Sequence, residues 1–175
     1  MRLAFAATAM LLAAPGAPQY SPAQAPSQLR RGLSRAEAAI RSAACDAERR
    51  FGEGDPDANA SRCEGIRAPP GVEVGRTSAR LRNPRNAPPD WAKAYVAQTD
   101  GKKASQVGPA LFDLRDRVGL LRPIEIRKRC LACHADRAEV PESTRAWLDA
   151  AYPRDQSFGY ALGDLRGFWW AEAAK

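Results

Sequence analysis

Cys130-Leu131-Ala132-Cys133-His134 constrains this 175-residue chain more than any other stretch, because it is a C-x-x-C-H run that contains the sole histidine. Two thiols three positions apart can each bond one vinyl group of a haem, and the imidazole beside the second thiol reaches the iron axially. The spacing is thus a geometric requirement of the porphyrin, and it predicts one covalent haem c. A zinc site on Cys130 and Cys133 would need two more ligands, and the neighbouring side chains of Cys133 and His134 point apart. A thioredoxin-like dithiol would need a βαβ context and a helix starting at the first cysteine, and neither is visible.

The amino terminus agrees with such a cofactor. Met1-Arg2 is followed by an apolar run from Leu3 to Ala14, as in a secretory signal peptide, and the run is too short to span a bilayer. Small residues at Gly16-Ala17 and at Ala23-Gln24-Ala25 offer cleavage points, although Pro26 makes the second awkward. Residues 1–25 are therefore expected to be leader and linker, and the protein to be exported, with the periplasm as its compartment. No later stretch approaches eighteen apolar residues, so the mature chain is expected to lack a transmembrane segment and to form one domain. The formal net charge of +7 suggests an acidic partner, but the arginines are scattered and no nucleic-acid module accompanies them.

The periodicity predicts an α+β fold. Ser34-x-x-Glu37 has the capping-box pattern, and Ala36, Ile40, Ala43, Ala44, Ala47 and Phe51 recur at helical spacing, which predicts a helix over 34–51. Cys45 lies on it, about 140° around from Ile40 and away from the apolar stripe. Gly and Pro break the chain after Phe51, and Cys63 falls in that irregular stretch. Alternation over 72–82 predicts a strand, Trp91 opens a short helix that ends near Gly101, and 110–114 with 120–126 predicts an antiparallel hairpin leading into the C-x-x-C-H run. A helix over 141–152 and a strand over 166–171 close the chain. Few strands, unequal helices and no βαβ repeat mean α+β.

Several separated stretches, Val74-Gly-Arg-Thr-Ser78, Leu81-Arg-Asn-Pro84, Asn86-Ala-Pro-Pro-Asp-Trp91, Pro123-Ile124, the C-x-x-C-H run, and Tyr152-Pro through Gly159-Tyr to Gly163-Asp-Leu-Arg-Gly167, together resemble the PAS-like c-type haem domain family. That family, long filed as a domain of unknown function, occurs as standalone exported haem proteins and as extracytoplasmic sensor domains. The resemblance spans about residues 35–172 and implies an antiparallel sheet flanked by helices over 34–172, with an N-terminal helix. It also implies that Cys45, after Ala39-Ile40, can serve as the second axial ligand. Arg76 and Arg82 resemble family positions and are candidates to pair with haem propionates. Ala135 stands where the family has glycine, and Cys63 has no counterpart.

The residues themselves leave the second axial position open. No second histidine exists and both methionines, Met1 and Met10, lie in the leader, so what remains is Cys45, Cys63, a lysine such as Lys93, Lys102, Lys103 or Lys128, water, or an open site. A thiolate at Cys45 would be held ionised by Arg41 and Arg49, whereas an oxidising compartment also permits a Cys45–Cys63 disulfide. Trp91, Trp147, Trp169 and Trp170 are expected as packing in the core and the haem wall. The function expected is electron transfer, or sensing of redox state or a diatomic ligand, towards a redox or signalling protein. The alternatives are a haem enzyme of peroxidase or gas-reducing type, which would want a distal acid or base, and a partner-binding module stapled by its haem.

Overall fold

The computed structural model describes residues 17–51 and 68–175, with the side chains of 48–51 excepted. The expected signal peptide and Cys63 lie outside the described residues. Helix α1 (Arg30–Phe51) is the longest element, four residues longer at its start than the capping box indicated. Strands β1 (Gln19–Tyr20), β2 (Glu73–Thr77), β3 (Ala110–Leu114), β4 (Arg117–Glu125) and β5 (Leu165–Ala174) form one antiparallel sheet in the order β1-β3-β4-β5-β2. Helices α2 (Lys93–Gln98), α3 (Leu131–His134) and α4 (Glu142–Ala151) complete an α+β architecture. Among the described residues no helix is long and apolar enough to cross a membrane.

Strand periodicity divides the core between the two faces of the sheet. Val118 and Leu120 of β4 with Ala171 and Ala173 of β5 pack under α1, against Leu33, Ala36, Ala39 and Ile40. Leu121 and Phe168 turn to the opposite face and meet Ala92, Val96 and Val107 beneath α2. Gly119 has no side chain because the Trp91 indole lies where one would stand: a Cβ there would be 3.0 Å from the ring. The hairpin between β3 and β4 turns on Arg115 and Asp116, with Arg115 in the left-handed region at φ 65°. The strand expected over 72–82 stops at Thr77, because pairing with β5 ends at Phe168.

Residues 17–29 depart from the linker expectation. Gln19 and Tyr20 pair with Phe112 and Leu111 as an edge strand, and Ala25 and Leu29 are buried in the core under α1. Proline and alanine cannot order such a segment by themselves. Here an existing sheet edge supplies the hydrogen bonds, and Pro22 and Pro26 preset two short 3₁₀ turns that lead into α1.

Candidate functional site

Between β4 and β5 the chain leaves the sheet and returns, and the C-x-x-C-H run sits on that excursion. A 3₁₀ turn over Lys128–Cys130 runs directly into α3. Cys130, Cys133 and His134 are thus related as i, i+3 and i+4 and share one side of a single helical turn. The Arg127 amide donates to Cys130 Sγ at 3.4 Å. Both cysteines are free thiols and partly exposed. Carbonyls at the end of this turn are closed by the returning chain, with Gly159 N–H donating to Ala135 O at 2.9 Å and Tyr160 N–H to His134 O at 3.0 Å. Ala135 is buried with φ −59°, a conformation any residue adopts, so glycine is not required there.

The imidazole of His134 is held at one nitrogen. Its Nδ1 is 2.8 Å from the carbonyl of fully buried Ser157, and a carbonyl only accepts, so Nδ1 carries the hydrogen and Nε2 presents its lone pair. Burial, reinforced by the charge of Arg166, pushes the His134 pKa down to about 3, against the opposing pull of the Ser157 bond. The ring is neutral across the physiological range and ready to bind a metal.

Arg82 clamps this arrangement from outside the loop. Its Nε donates to Asp155 Oδ2 at 2.7 Å, and one terminal nitrogen donates to Cys133 O at 2.6 Å and to Ser157 O at 3.4 Å. Asp155 Oδ1 in turn accepts from the Ser157 amide at 2.8 Å. The guanidinium of Arg82, expected as a propionate partner, is engaged here by a carboxylate and two carbonyls of the loop through Nε and one terminal nitrogen. Arg76 stands directly opposite Trp169 across β2 and β5, with its guanidinium 5.3 Å from the indole centroid, and its charge reaches His134.

Cys45 takes the disulfide alternative that the sequence left open: it is disulfide-bonded, while Cys130 and Cys133 are free. A disulfide sulfur carries no thiolate charge to give to iron, so ligation by Cys45 would require that bond to be reduced. Trp147 departs from the packing expectation: it is 62% exposed on α4 and edge-on to Tyr152, because Leu148 takes the buried side of that helix. Trp91, Trp169 and Trp170 are partly buried against the two cores, as expected of packing.

Asp155 and Ser157 escaped the sequence reading, and Tyr160 and Arg166 were part of the family-like stretches without being assigned a role. The register between β4 and β5 pairs Ile124 with Gly167 but Glu125 with Leu165, so Arg166 is the extra residue of a bulge. The bulge turns Arg166 towards the loop, where its Nε lies 3.5 Å from His134 Nε2. Gly167 makes this possible with φ 147°, and a Cβ there would run into the Thr77 carbonyl oxygen. Glycine in a strand interior was the available signal. A cleft of about 390 Å³ lined by Arg82, Arg85, Tyr152 and Arg154 among others lies behind Arg82 and does not include His134 or either thiol.

Comparison with known proteins gives two matches. A sequence family described as Tll0287-like matches residues 25–172. The crystal structure of the cyanobacterial haem protein Tll0287 aligns with a TM-score of 0.53 at 22% identity, covering 85% of this chain and 95% of that chain. At that identity the likeness shows the fold. No curated protein matches the chain.

Proposed function

The chain belongs to the Tll0287-like family, and on that premise we propose that it is an exported monohaem c protein that carries electrons or reports redox state or a small ligand through its haem. The observation that supports this reading best is the presentation of His134: one helical turn places two free thiols and an Nε2 lone pair on one side, with Nδ1 tied to Ser157. The similar cyanobacterial structure is that of a haem protein. In this reading Cys130 and Cys133 would hold the macrocycle by thioether bonds and His134 would ligate its iron. A haem held this way supplies a one-electron couple and, where a coordination position is open, a site for a diatomic ligand.

The protein's own residues set the terms of that couple. Ser157 fixes the tautomer and angle of the imidazole and, through it, how strongly nitrogen donates. Arg82 and Asp155 hold the backbone that carries Cys133 and Ser157. Arg76, Arg82 and Arg166 surround His134 with positive charge, which favours the reduced metal. The one histidine serves the proximal side, so an enzyme of peroxidase type would lack a distal histidine, and the carrier or sensor reading is preferred.

Haem staining of the protein after denaturing electrophoresis tests the proposal. Thioether bonds survive unfolding, whereas coordinate bonds do not, so the polypeptide band should stain. A band from cells competent in haem attachment that does not stain would remove the assignment.

A further inference from the structure

We propose that Arg166 and Tyr160 form a carboxylate-binding subsite that takes one propionate of the haem, beside the candidates Arg76 and Arg82 that the family resemblance named. The inference rests on the haem reading above, on two observations independent of it, and on a third that follows from it.

The first is that Arg166 is a partly buried cation without an anion. Its polar contacts among the described residues are His134 Nε2 at 3.5 Å and the Arg80 carbonyl at 3.5 Å, both at the outer limit of hydrogen bonding. The neighbouring carboxylate, Asp155, is taken by Arg82. Enclosed charges in proteins are paired, because the desolvation of an unpaired guanidinium is expensive.

The second observation is Tyr160. It is 4% exposed, and its hydroxyl is buried with no hydrogen-bond partner. Its ring sits between the guanidinium of Arg80, 3.8 Å from the centroid, and that of Arg166, 5.5 Å away, and meets His134 edge-on at 6.0 Å. A buried phenol normally finds an acceptor. A planar guanidinium without an anion and a phenol without an acceptor, both beside the ligand histidine, are what a carboxylate satisfies.

The third is the direction in which Arg166 is aimed. Iron binding needs the Nε2 lone pair that Arg166 Nε now faces, and the lost contact is weak. The bulge at Gly167 keeps the side chain on the loop side of the sheet, so the guanidinium exchanges His134 for a carboxylate at the same macrocycle. Arg82 is pinned by Asp155 and does not compete.

The test uses the full haem-loaded chain and three variants: Arg166→Leu, Arg166→Lys and Tyr160→Phe. Staining on a denaturing gel reports covalent haem without reference to Arg166. Resonance Raman reports the propionate bending band, and a redox titration reports the midpoint potential. Haem stain should persist in all three. The propionate band should shift in Arg166→Leu and Tyr160→Phe, and the potential should fall in Arg166→Leu and recover most of the way in Arg166→Lys, because a positive charge there favours the ferrous state. Retained stain with an unmoved band and potential in Arg166→Leu and Tyr160→Phe overturns the subsite and leaves the haem reading standing. A wild-type chain that does not stain overturns the haem reading itself. Should Arg166→Leu fail to fold, an unmoved propionate band in both Arg166→Lys and Tyr160→Phe overturns the subsite.

Discussion

Replacing Arg82 with methionine tests whether one side chain holds the loop of the C-x-x-C-H run to the sheet. Arg82 and Asp155 form an ion pair at 2.7 Å, with side chains 14% and 3% exposed. Methionine conserves most of the volume and removes the charge, which leaves the Asp155 carboxylate stranded in a place water barely reaches. Breaking a buried pair from one side costs about 3–5 kcal/mol. The carbonyls of Cys133 and Ser157 lose a charged donor as well, but Ser157 O keeps His134, so these losses stay inside that range. Urea unfolding of the haem-loaded protein at neutral pH, followed by far-ultraviolet circular dichroism, reads the cost. The double variant Arg82→Met with Asp155→Leu should recover a large part of it, since no charge is then buried alone. A loss under about 1 kcal/mol in the single variant, against that buried-pair range, or a double variant no more stable than the single one, would refute the reasoning.

Four further outcomes follow from the same structure. Cys130→Ser or Cys133→Ser should weaken or abolish haem retention on a denaturing gel, and full staining of the double variant would contradict thioether attachment. Gly167→Ala should destabilise by roughly 2–5 kcal/mol, combining a backbone conformation that suits glycine with a collision at the Thr77 carbonyl, and an unchanged urea midpoint would show that β2 and β5 tolerate separation there. His134 is held neutral down to about pH 3, against 6.5 when unfolded, so unfolding takes up a proton between those values. Its contribution to stability is complete above pH 6.5 and declines as pH falls through that window, so the wild type should lose stability between pH 7 and 4 more steeply than His134→Gln, and equal slopes would rule this out. Peptide mapping under non-reducing conditions should find Cys45 in a disulfide that dithiothreitol releases, whereas a free Cys45 thiol would restore it as a candidate iron ligand.

The central strands were legible because each is written locally: the β-prone runs before and after the C-x-x-C-H stretch needed only their own pattern to be read as strands. The helix that opens at Cys130 was not expected from the sequence, because the residues before it carry no helix-start signal. What escaped depends on neighbours distant in sequence. Gln19 and Tyr20 become a strand only because β3 offers an edge, and no local pattern in a Pro/Ala-rich segment encodes that. Arg166 reads as one more solvated arginine until a two-against-three register with β4 turns it inward. That Arg82 meets Asp155, 73 residues later, was not legible either, because no local pattern links the two. Ala25, buried under α1, also bears on the leader: an exported chain that keeps this fold is cut ahead of Gln19, which N-terminal sequencing of secreted protein can check.

The excursion that carries Cys130 to Ser157 leaves and re-enters the sheet through a narrow neck. Ile126 N–H donates to Asp164 O at 2.9 Å, and Gly163 N–H donates to Ile126 O at 3.0 Å. Lys102 and Ala104 fasten the same neck from the other side, through bonds to Leu165 N and Gly163 O. The sheet therefore behaves as a host and the loop as a guest sewn on at its base, with Arg80 and Arg82 as two outlying stitches to Phe158, Asp155 and Cys133. Closing a loop costs only slowly more as it lengthens. Changes of length or sequence within the segment from Cys130 to Ser157 are thus expected to leave strand register undisturbed, so that the loop can be rewritten while the scaffold stays fixed.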